Sequence, residues 1–210
     1  QGVTDVSNLY DELMAYSGGV PHAAIFGSGE ILSPGVYDVT GAFSIAGTLT
    51  MDGGGDPNSV FIIRGTGAFS TEAGTTLVLI GNAKPENIFW VSNAAMSTGA
   101  STIMKGTMLG GGTAAGALAL GANTELEGRL LTKLGAVSLG ADVILTIPTG
   151  TSPLNLGALS TFAMWSSSGA VTDVLTATTT GNVGTALGAL TMVGTHTGEE
   201  YPAGTTISPS

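Results

Sequence analysis

The chain contains no cysteine and only five lysine and arginine residues among 210. The absence of cysteine excludes a disulfide framework, a thiol nucleophile and a thiolate metal site. With a formal net charge of -10, the chain has too few cations to neutralise the phosphates of a nucleic acid or to bind an anionic membrane surface. No apolar run reaches the roughly 18 residues of a membrane-spanning helix. Composition therefore predicts neither nucleic acid nor membrane as a partner.

Residues suited to catalysis or metal binding are also scarce. The two histidines, His22 and His196, lie far apart in sequence among Gly, Pro and Thr, which favours exposed loop positions over a general base. The glutamates that follow His196 are better explained as a solvated acidic turn than as a cation site. No pair of acidic residues stands out as a glycosidase dyad, and Arg129 and Lys133 are more simply surface cations than an anion site. We therefore expect no enzyme, no cofactor and no metal.

Glycine, by contrast, is abundant, with 34 residues, and 43% of the chain is hydrophobic while only 10% is charged. This composition is typical of a folded, turn-rich β protein and not of a disordered chain. The length suits one domain, and we expect residues 1–210 to form a single one.

A four-residue phrase of two small residues, a bulky apolar residue and a third small residue recurs along the chain. A phrase repeated at intervals of about 19 to 27 residues, with a longer last interval, indicates one stacked structural unit. Three short strands and three turns per repeat make one triangular coil of a β-solenoid. A β-sandwich is the alternative, but it does not predict the phrase. The phrase occurs as Gly41-Ala42-Phe43-Ser44, Gly67-Ala68-Phe69-Ser70, Ala94-Ala95-Met96-Ser97, Gly116-Ala117-Leu118-Ala119, Gly135-Ala136-Val137-Ser138 and Gly169-Ala170-Val171-Thr172.

One amphipathic helix is predicted over residues 4–17, capped by Thr4 or Asp5 and ended by Gly18-Gly19, and we expect it to lie along the β body. Residues 20–30 are predicted to form a loop, residues 31–147 the main coils, and residues 154–192 one more coil with a cap. The apolar residues of the helix follow the i, i+3, i+4, i+7 spacing: Val6, Leu9, Tyr10, Leu13 and Met14.

Within each phrase, alternate strand residues point to opposite sides, so the bulky residue faces the core and its small neighbours face outward. A small turn and a short polar residue follow each phrase. Stacked at roughly 4.8 Å per coil, these outward residues form flat ladders with hardly a charge. Tight corners that tolerate only small residues explain such ladders equally well. The functional explanation is a partner that is itself flat and periodic, such as ordered water.

Several longer motifs occur in a fixed order, and each resembles a motif of one known protein family. Leu32-Ser33-Pro34-Gly35-Val36-Tyr37 is similar to L-T-P-G-V-Y, and the segment 47–62 is similar to G-T-L-T-L-D-G…D-P-N-A-V-F-I. Asn87-Ile88-Phe89-Trp90 is similar to N-V-F-W, Lys105-Gly106-Thr107 to F-x-G-T, and Glu127-Gly128-Arg129 to x-G-R. Over about residues 5–147, these motifs resemble those of the DUF3494 family of ice-binding proteins.

The resemblance implies a mostly β, right-handed triangular β-solenoid with one amphipathic α-helix packed along its axis. It also implies secretion from a cold-adapted microbe and adsorption to ice through one flat face. That face is implied to consist of the strand that carries the phrase and the corner after it. Carried over by motif, the ice-binding residues are Ser44, Thr48, Ser70, Thr75, Ser97, Thr98, Ser101, Asn123 and Ser138.

Residues 156–184 resemble the amino-terminal segment of the same family, yet here they come last. In that family the amino-terminal coil is implied to stack beside the carboxy-terminal coil. Moving the segment to the end makes coil order and sequence order agree, which predicts a circularly permuted domain. A fragment cut from a tandem array is the alternative, and we favour the permutation.

Together these features predict a secreted, monomeric, non-enzymatic antifreeze protein that binds ice, causes thermal hysteresis and inhibits ice recrystallisation. The alternative is a structural or adhesive β-solenoid domain that binds polysaccharide or protein through the same face. Trp90 and Trp165 would favour that alternative if they lay outward and side by side, but not if both lay inward. A solenoidal enzyme of the pectate-lyase type needs a carboxylate cluster with a basic residue on one face, which the sequence does not show.

Overall fold

The computed structural model describes residues 1–112 and 116–207. This part of the chain contains one α-helix, α1 (Gly2–Ala15), and many short strands that pair in parallel. The pairing connects the strands into three ladders, to which successive coils contribute one short strand or one half of a longer strand.

Ladder 1 carries the helix on its outer side. Its strands are β1 (Gly19–Pro21), β4 (Gly35–Val39), β7 (Phe61–Gly65), β10 (Ile88–Ser92), β12 (Ile103–Gly110), β14 (Glu125–Thr132), β17 (Phe162–Ser166), β20 (Asn182–Thr185) and β23 (Glu200–Tyr201).

Ladder 2 carries the repeated phrase. Its strands are β2 (Ile25–Gly27), β5 (Phe43–Ala46), β8 (Phe69–Thr71), β11 (Met96–Ser97), β13 (Leu118–Leu120), β15 (Val137–Leu139), β18 (Val171–Thr172) and β21 (Leu190–Thr191).

Ladder 3 follows ladder 2 in each coil. It shares β12 and β14 with ladder 1, because the first residues of these long strands pair in ladder 3 and their last residues in ladder 1. Its other strands are β3 (Glu30–Leu32), β6 (Thr48–Asp52), β9 (Thr76–Ile80), β16 (Ile144–Thr146), β19 (Thr178–Thr180) and β22 (Thr195–Thr197).

In all three ladders the strands stack in the order of the sequence. This confirms the predicted β-solenoid, in which stacking buries the apolar side of each coil. Residues 20–30, predicted as a loop, instead contribute to β1, β2 and β3, because strands of three residues are too short to show an alternating pattern in the sequence. The right-handed sense, the triangular cross-section, the single domain and the circular permutation stay predictions.

Large apolar side chains from the three ladders fill the interior. A row of aromatic rings runs through the first coils, with centroids 6.5 Å apart from Phe26 to Phe43, 4.9 Å from Phe43 to Phe69 and 5.5 Å from Phe69 to Trp90. The indole N–H of Trp90 donates to the carbonyl of Lys105 at 2.9 Å, so its polar atom is satisfied inside the core. The bulky residue of the phrase therefore points inward, as predicted.

Helix α1 packs on the outer side of ladder 1. Val6, Leu9 and Leu13 are fully buried there, in one apolar cluster with Phe89 and Leu131 of the strands beneath. The helix begins and ends two residues before the predicted range of 4–17. At its start Asp5 lies inside the first turn instead of capping it, and its carboxylate accepts from the side-chain amide of Gln1 and from the backbone N–H of Ala158.

The helix ends before Gly18-Gly19, and a side chain from the solenoid caps its carboxy-terminal end. The guanidinium of Arg64 donates to the carbonyls of Leu13, Met14 and Tyr16 at 2.8 to 2.9 Å, and it also pairs with Asp38. It thereby satisfies carbonyls that have no partner at a helix end. This contact between distant segments has no signature in the local sequence.

Candidate binding surface

Ladder 2 exposes a continuous outer surface made of short side chains. One outward residue per strand forms a column in which each member pairs directly with the next: Ser44, Ser70, Ser97, Ala119, Ser138, Thr172 and Thr191. The residues on either side of the column point into the core, as alternation in a strand requires. The column begins beside Ile25 of β2, which pairs with Ser44 and is 64% exposed.

A second column lies two residues earlier in each coil and consists of alanine throughout. From Ala68 onward, each alanine carbonyl accepts a hydrogen bond from the amide of the inward residue of the preceding coil, as in Phe43 N to Ala68 O at 2.9 Å. Its members are Ala42, Ala68, Ala95, Ala117, Ala136, Ala170 and Ala189. We call the two columns together the alanine–serine face.

The alanine–serine face carries methyl and hydroxyl groups and no charged side chain. From β5 onward, each coil contributes one alanine and one outward residue to the two columns, and we call this pair a rung. Parallel pairing sets successive rungs roughly 4.8 Å apart. The acidic residue Glu72 follows the last residue of β8 and lies at the corner next to the face. The result is a regular, uncharged surface of short side chains.

From Gly67 onward, packing between coils explains the glycines of the phrase but not its alanines and serines. A Cβ on Gly67 would lie 2.5 Å from the backbone nitrogen of Ala42, and one on Gly135 would lie 2.5 Å from that of Ala117. Only glycine fits there, because the neighbouring coil cannot move away. Ala68, Ser70 and Ser97, in contrast, are exposed to solvent. Their small size is therefore not imposed by the corner.

Four of the predicted site residues lie together in the serine column. Ser70 and Ser97 are exposed, and Ser44 and Ser138 are half-buried between their neighbours. These four share one side of ladder 2, at equivalent positions of β5, β8, β11 and β15.

Three others, Thr48, Ser101 and Asn123, are exposed but border the alanine–serine face. Ser101 and Asn123 occupy the corner between ladders 2 and 3 with φ of 58° and 57°, in the left-handed region. Asn tolerates this conformation better than most residues. Thr48 is the first residue of β6 and belongs to ladder 3.

Thr75 and Thr98 were also predicted on the surface, and the structure places both inside. Thr98 follows the outward Ser97 in the chain, so alternation turns it inward; it is 7% exposed and its Oγ1 accepts from Gly121 N at 3.0 Å. Thr75 is fully buried and donates to the carbonyl of Ile45 at 3.2 Å. Both hydroxyls have partners in the protein and cannot contact an external surface.

The sequence prediction also missed part of the face. It includes neither the alanine column nor Thr172 in the site, although both belong to the repeated phrase. Gly188-Ala189-Leu190-Thr191 repeats the phrase once more, hidden in a tract rich in Thr and Gly. The pairing of β18 with β21 brings Thr191 into line with Thr172.

Both tryptophans are buried, at 0% for Trp90 and 3% for Trp165, the first in the solenoid core and the second under the helix. They do not lie side by side on the outer surface. The adhesive alternative therefore gains no support from them.

The two histidines and Lys133, which lie outside the alanine–serine face, have partners within the protein. His22 stacks on Phe26 with ring centroids 3.8 Å apart and contacts Glu30 at 2.8 Å, and His196 contacts the carbonyl of Gly181 at 2.9 Å. Lys133 pairs with the exposed Asp11 at 3.3 Å. Within residues 1–112 and 116–207, no group of three or more His, Asp or Glu is placed to hold a metal ion. Among the helices of the same ranges, none is both long and apolar enough to cross a membrane.

Arg129 is not the surface cation that the sequence suggested. It is 3% exposed, and one guanidinium nitrogen donates to the carbonyl of Ser160 at 2.7 Å. Burial lowers the pKa of Arg129 to about 10, an effect that the nearby Glu86 carboxylate partly offsets. A cleft of about 770 Å³ lies beside Arg129, but the other two guanidinium nitrogens of Arg129 are shielded from solvent. The cleft therefore presents no accessible pair of donors to an anion.

Known proteins match this chain over most of its length. Residues 1–145 match the ice-binding-like family. An ice-binding protein of Nostoc sp. (strain HG1) is 27% identical over 147 residues, which cover 69% of this chain and 52% of that protein. The chain thus spans about half the length of this curated relative.

Two solved structures share the fold. The ice-binding protein from an Antarctic bacterium of the Flavobacteriaceae is 31% identical with a TM-score of 0.62, and the match covers 97% of this chain and 50% of that one. The DUF3494 domain of ice-binding protein 1 from Shewanella frigidimarina is 28% identical with a TM-score of 0.62, over 67% of this chain and 59% of that one. Since the family match extends over well more than half of its residues, this chain belongs to the ice-binding-like, or DUF3494, family.

Proposed function

We propose that this protein adsorbs to ice through the alanine–serine face, and that it thereby causes thermal hysteresis and inhibits ice recrystallisation. The observation that carries the proposal is the unbroken pairing of short, uncharged outward residues along ladder 2, from Ser44 to Thr191. Membership of the ice-binding-like family supports the same assignment. We further propose that the protein acts without a catalytic step, as a monomer, outside the cell.

The proposed mechanism uses the two columns together. Serine and threonine hydroxyls hydrogen-bond water, while the alanine methyls beside them restrict where that water can sit. A rigid lattice of such groups, repeating at roughly 4.8 Å, orders the first water layer, and this layer merges with the crystal. Growth then stops between adsorbed molecules.

Rigidity lets many weak contacts add up. Each hydroxyl or methyl contributes little, but a preorganised surface loses little conformational entropy on binding. The close packing of the coils behind the face supports this rigidity, with Phe43, Phe69 and Met96 at most 3% exposed. The absence of long side chains in the two columns has the same effect, because alanine and serine have few rotamers to lose.

The decisive experiment compares wild type, Ser97→Tyr and Thr180→Tyr in thermal hysteresis and ice recrystallisation assays. Ser97 lies in the middle of the face, whereas Thr180 is an outward residue of ladder 3 that is also exposed. We expect Ser97→Tyr to lower hysteresis by about five-fold or more, because one projecting ring holds several neighbouring contacts away from the ice. Thr180→Tyr should retain wild-type activity.

An inactive wild-type protein would overturn the proposed function. An active wild type with a fully active Ser97→Tyr would instead leave ice binding in place and move it away from this face. Unchanged thermal unfolding of both variants is the control for folding, since both substitutions are on the surface.

A further inference from the structure

Five buried threonines lie behind the corner at which ladder 2 turns into ladder 3. Each is at most 7% exposed, and each has a hydrogen-bond partner for its hydroxyl inside the protein. We call them the corner hydroxyl network: Thr71, Thr75, Thr98, Thr102 and Thr124.

The hydroxyls pair between successive coils. Thr71 Oγ1 lies 3.0 Å from Thr102 Oγ1, and Thr98 Oγ1 lies 3.1 Å from Thr124 Oγ1. Thr102 and Thr124 both donate to the carbonyl of Gly99, at 2.8 and 3.3 Å. If Thr102 and Thr124 use their protons on Gly99 O, Thr71 and Thr98 are the donors within the two pairs, because a hydroxyl has one proton to donate.

The same two residues also hold the backbone of the next coil. Thr71 Oγ1 accepts from Gly99 N at 3.0 Å, and Thr98 Oγ1 accepts from Gly121 N at 3.0 Å. Hydrogen bonds thus run from Gly121 N to Thr98, from Thr98 to Thr124, and from Thr124 to Gly99 O, which ties consecutive corners together.

Asp173 occupies the equivalent inward position in a later coil and makes the same kind of contact. Its carboxylate accepts from Val193 N at 2.6 Å and from Gly194 N at 3.1 Å. At the intervening corners the inward position holds Leu120 and Leu139, and the positions equivalent to Thr102 and Thr124 hold Val143 and Ala177. Paired hydroxyls thus occur between the central coils, at Thr71–Thr102 and Thr98–Thr124, whereas the equivalent positions of the following coils are apolar.

Thr71 and Thr98 directly follow Ser70 and Ser97 of the alanine–serine face. The strands there, β8 and β11, have only three and two residues. Strands this short have few ladder hydrogen bonds to fix one coil relative to the next. A side-chain bond from the next residue to the adjacent coil therefore adds directly to the alignment of the outward serines.

We propose that Thr71 and Thr98 are positioning residues for the alanine–serine face. Their hydroxyls never contact ice; they fix the register and height of the outward residues of neighbouring coils, so that the central rungs present one plane. The inference rests on the proposed function, since it concerns how the same face is held in place.

The test uses one substitution at two buried sites. Thr98→Val removes a hydroxyl that bonds to Gly121 N and Thr124, whereas Thr179→Val removes a hydroxyl that is fully buried and has no hydrogen-bond partner. Thr98→Ser keeps the hydroxyl and loses only a methyl group. Thermal hysteresis, thermal unfolding and the hydrogen exchange of the Gly121 amide are measured for all three variants and the wild type.

We expect Thr98→Val to lose hysteresis by about two-fold or more at temperatures where it is fully folded, because the central contacts lose their preorganisation. Its Gly121 amide should exchange faster than in wild type. Thr98→Ser should restore both properties, and Thr179→Val should leave both unchanged.

Wild-type hysteresis in folded Thr98→Val would overturn the inference, and so would unchanged exchange at Gly121. An equal loss in Thr179→Val would also overturn it, since any buried threonine would then have the same effect. A wild type without hysteresis is a different result: it overturns the proposed function, while Gly121 exchange still decides whether Thr98 holds the corner.

Discussion

Ladders 2 and 3 have the same parallel pairing and the same stacking order, yet their outer surfaces differ. From its second strand, β5, onward, ladder 2 presents alanine, serine and threonine in its two outward columns. Ladder 3 presents threonines in its second strand and its last strands, such as Thr50 and Thr180, but large or charged residues in the middle. There Lys105 and Glu127 pair across neighbouring coils at 2.9 Å, and Ile103 and Ile144 are 37% and 48% exposed.

The difference shows that the backbone lattice alone does not make a candidate ice-binding surface. Both ladders repeat at roughly 4.8 Å, so both meet the requirement for periodicity. Only ladder 2 is free of long side chains in both outward columns from its second strand onward. The proposed binding property therefore belongs to the outward side chains, and moving those side chains between the ladders is the direct way to test the comparison.

The largest effect should follow when the ion pair of ladder 3 is transplanted to the face. Ser97 and Ala119 pair across coils in the same way as Lys105 and Glu127. The double variant Ser97→Lys/Ala119→Glu should lose nearly all thermal hysteresis, because two long, hydrated side chains then stand on the central rungs. Its free energy of unfolding should change by about 1 kcal/mol or less, as for other exposed ion pairs.

Calorimetry and hysteresis measured on the same sample separate the two expectations. Wild-type hysteresis in the stable double variant would show that the ice contact lies elsewhere. A variant that is inactive because it unfolds would be recognised by its lowered melting temperature and could not be counted in favour of the face.

The sequence was sufficient to predict much of the structure of ladder 2. The repeated phrase identified the solenoid, and alternation within it placed Phe43 inward and Ser44 outward. The resemblance to the family, and not the repeat, suggested ice as the partner. Applied one residue further, the same alternation would have turned Thr98 inward, but the motif carried over from the family placed it on the surface.

Other features depend on contacts that are distant in the sequence. Thr75 is buried because the chain bends at Gly74, whose φ is +72°, and directs the next side chain into the corner. The sequence of a small polar turn does not indicate whether its Thr faces water or another coil. Likewise, Arg64 caps the end of the helix although it lies about fifty residues further along the chain. No local sequence pattern predicts such a contact.

An intermediate effect is expected at the end of the face. Thr191 is the outward residue of β21, the last strand of ladder 2, and it is exposed. Thr191→Tyr should lower hysteresis by about two-fold, less than Ser97→Tyr, because a ring at one end leaves the other rungs free to contact ice together. Hysteresis titrations of the two variants, at equal concentration of folded protein, make the comparison.

The comparison of Thr191→Tyr with Ser97→Tyr would locate the end of the ice-binding part of the alanine–serine face. A loss as large as that of Ser97→Tyr would mean that the last coil is as important as the central ones. No loss at all would mean that the face ends before β21, and Thr172→Tyr would then be the next position to measure.

The smallest effect is expected when the ion pair of ladder 3 is removed. Lys105→Thr/Glu127→Thr makes the middle of that outward column resemble its carboxy-terminal end, where Thr146, Thr180 and Thr197 pair in register. The backbone carbonyl of residue 105 still accepts from Trp90, so the core is untouched. Threonine suits an exposed strand position, and the lost surface pair is worth only about 0.2–1 kcal/mol.

Hysteresis of this variant should equal that of wild type. Replacing one pair leaves the neighbouring column of ladder 3 bulky and charged, with Ile103, Glu125 and Ile144 still projecting, so no second flat surface is created. A fall in hysteresis would place Lys105 or Glu127 in the ice contact and end the distinction between the ladders. A clear rise would mean that one smooth column is enough to bind ice, and the pairing of alanine with serine on ladder 2 would then be more than the function requires.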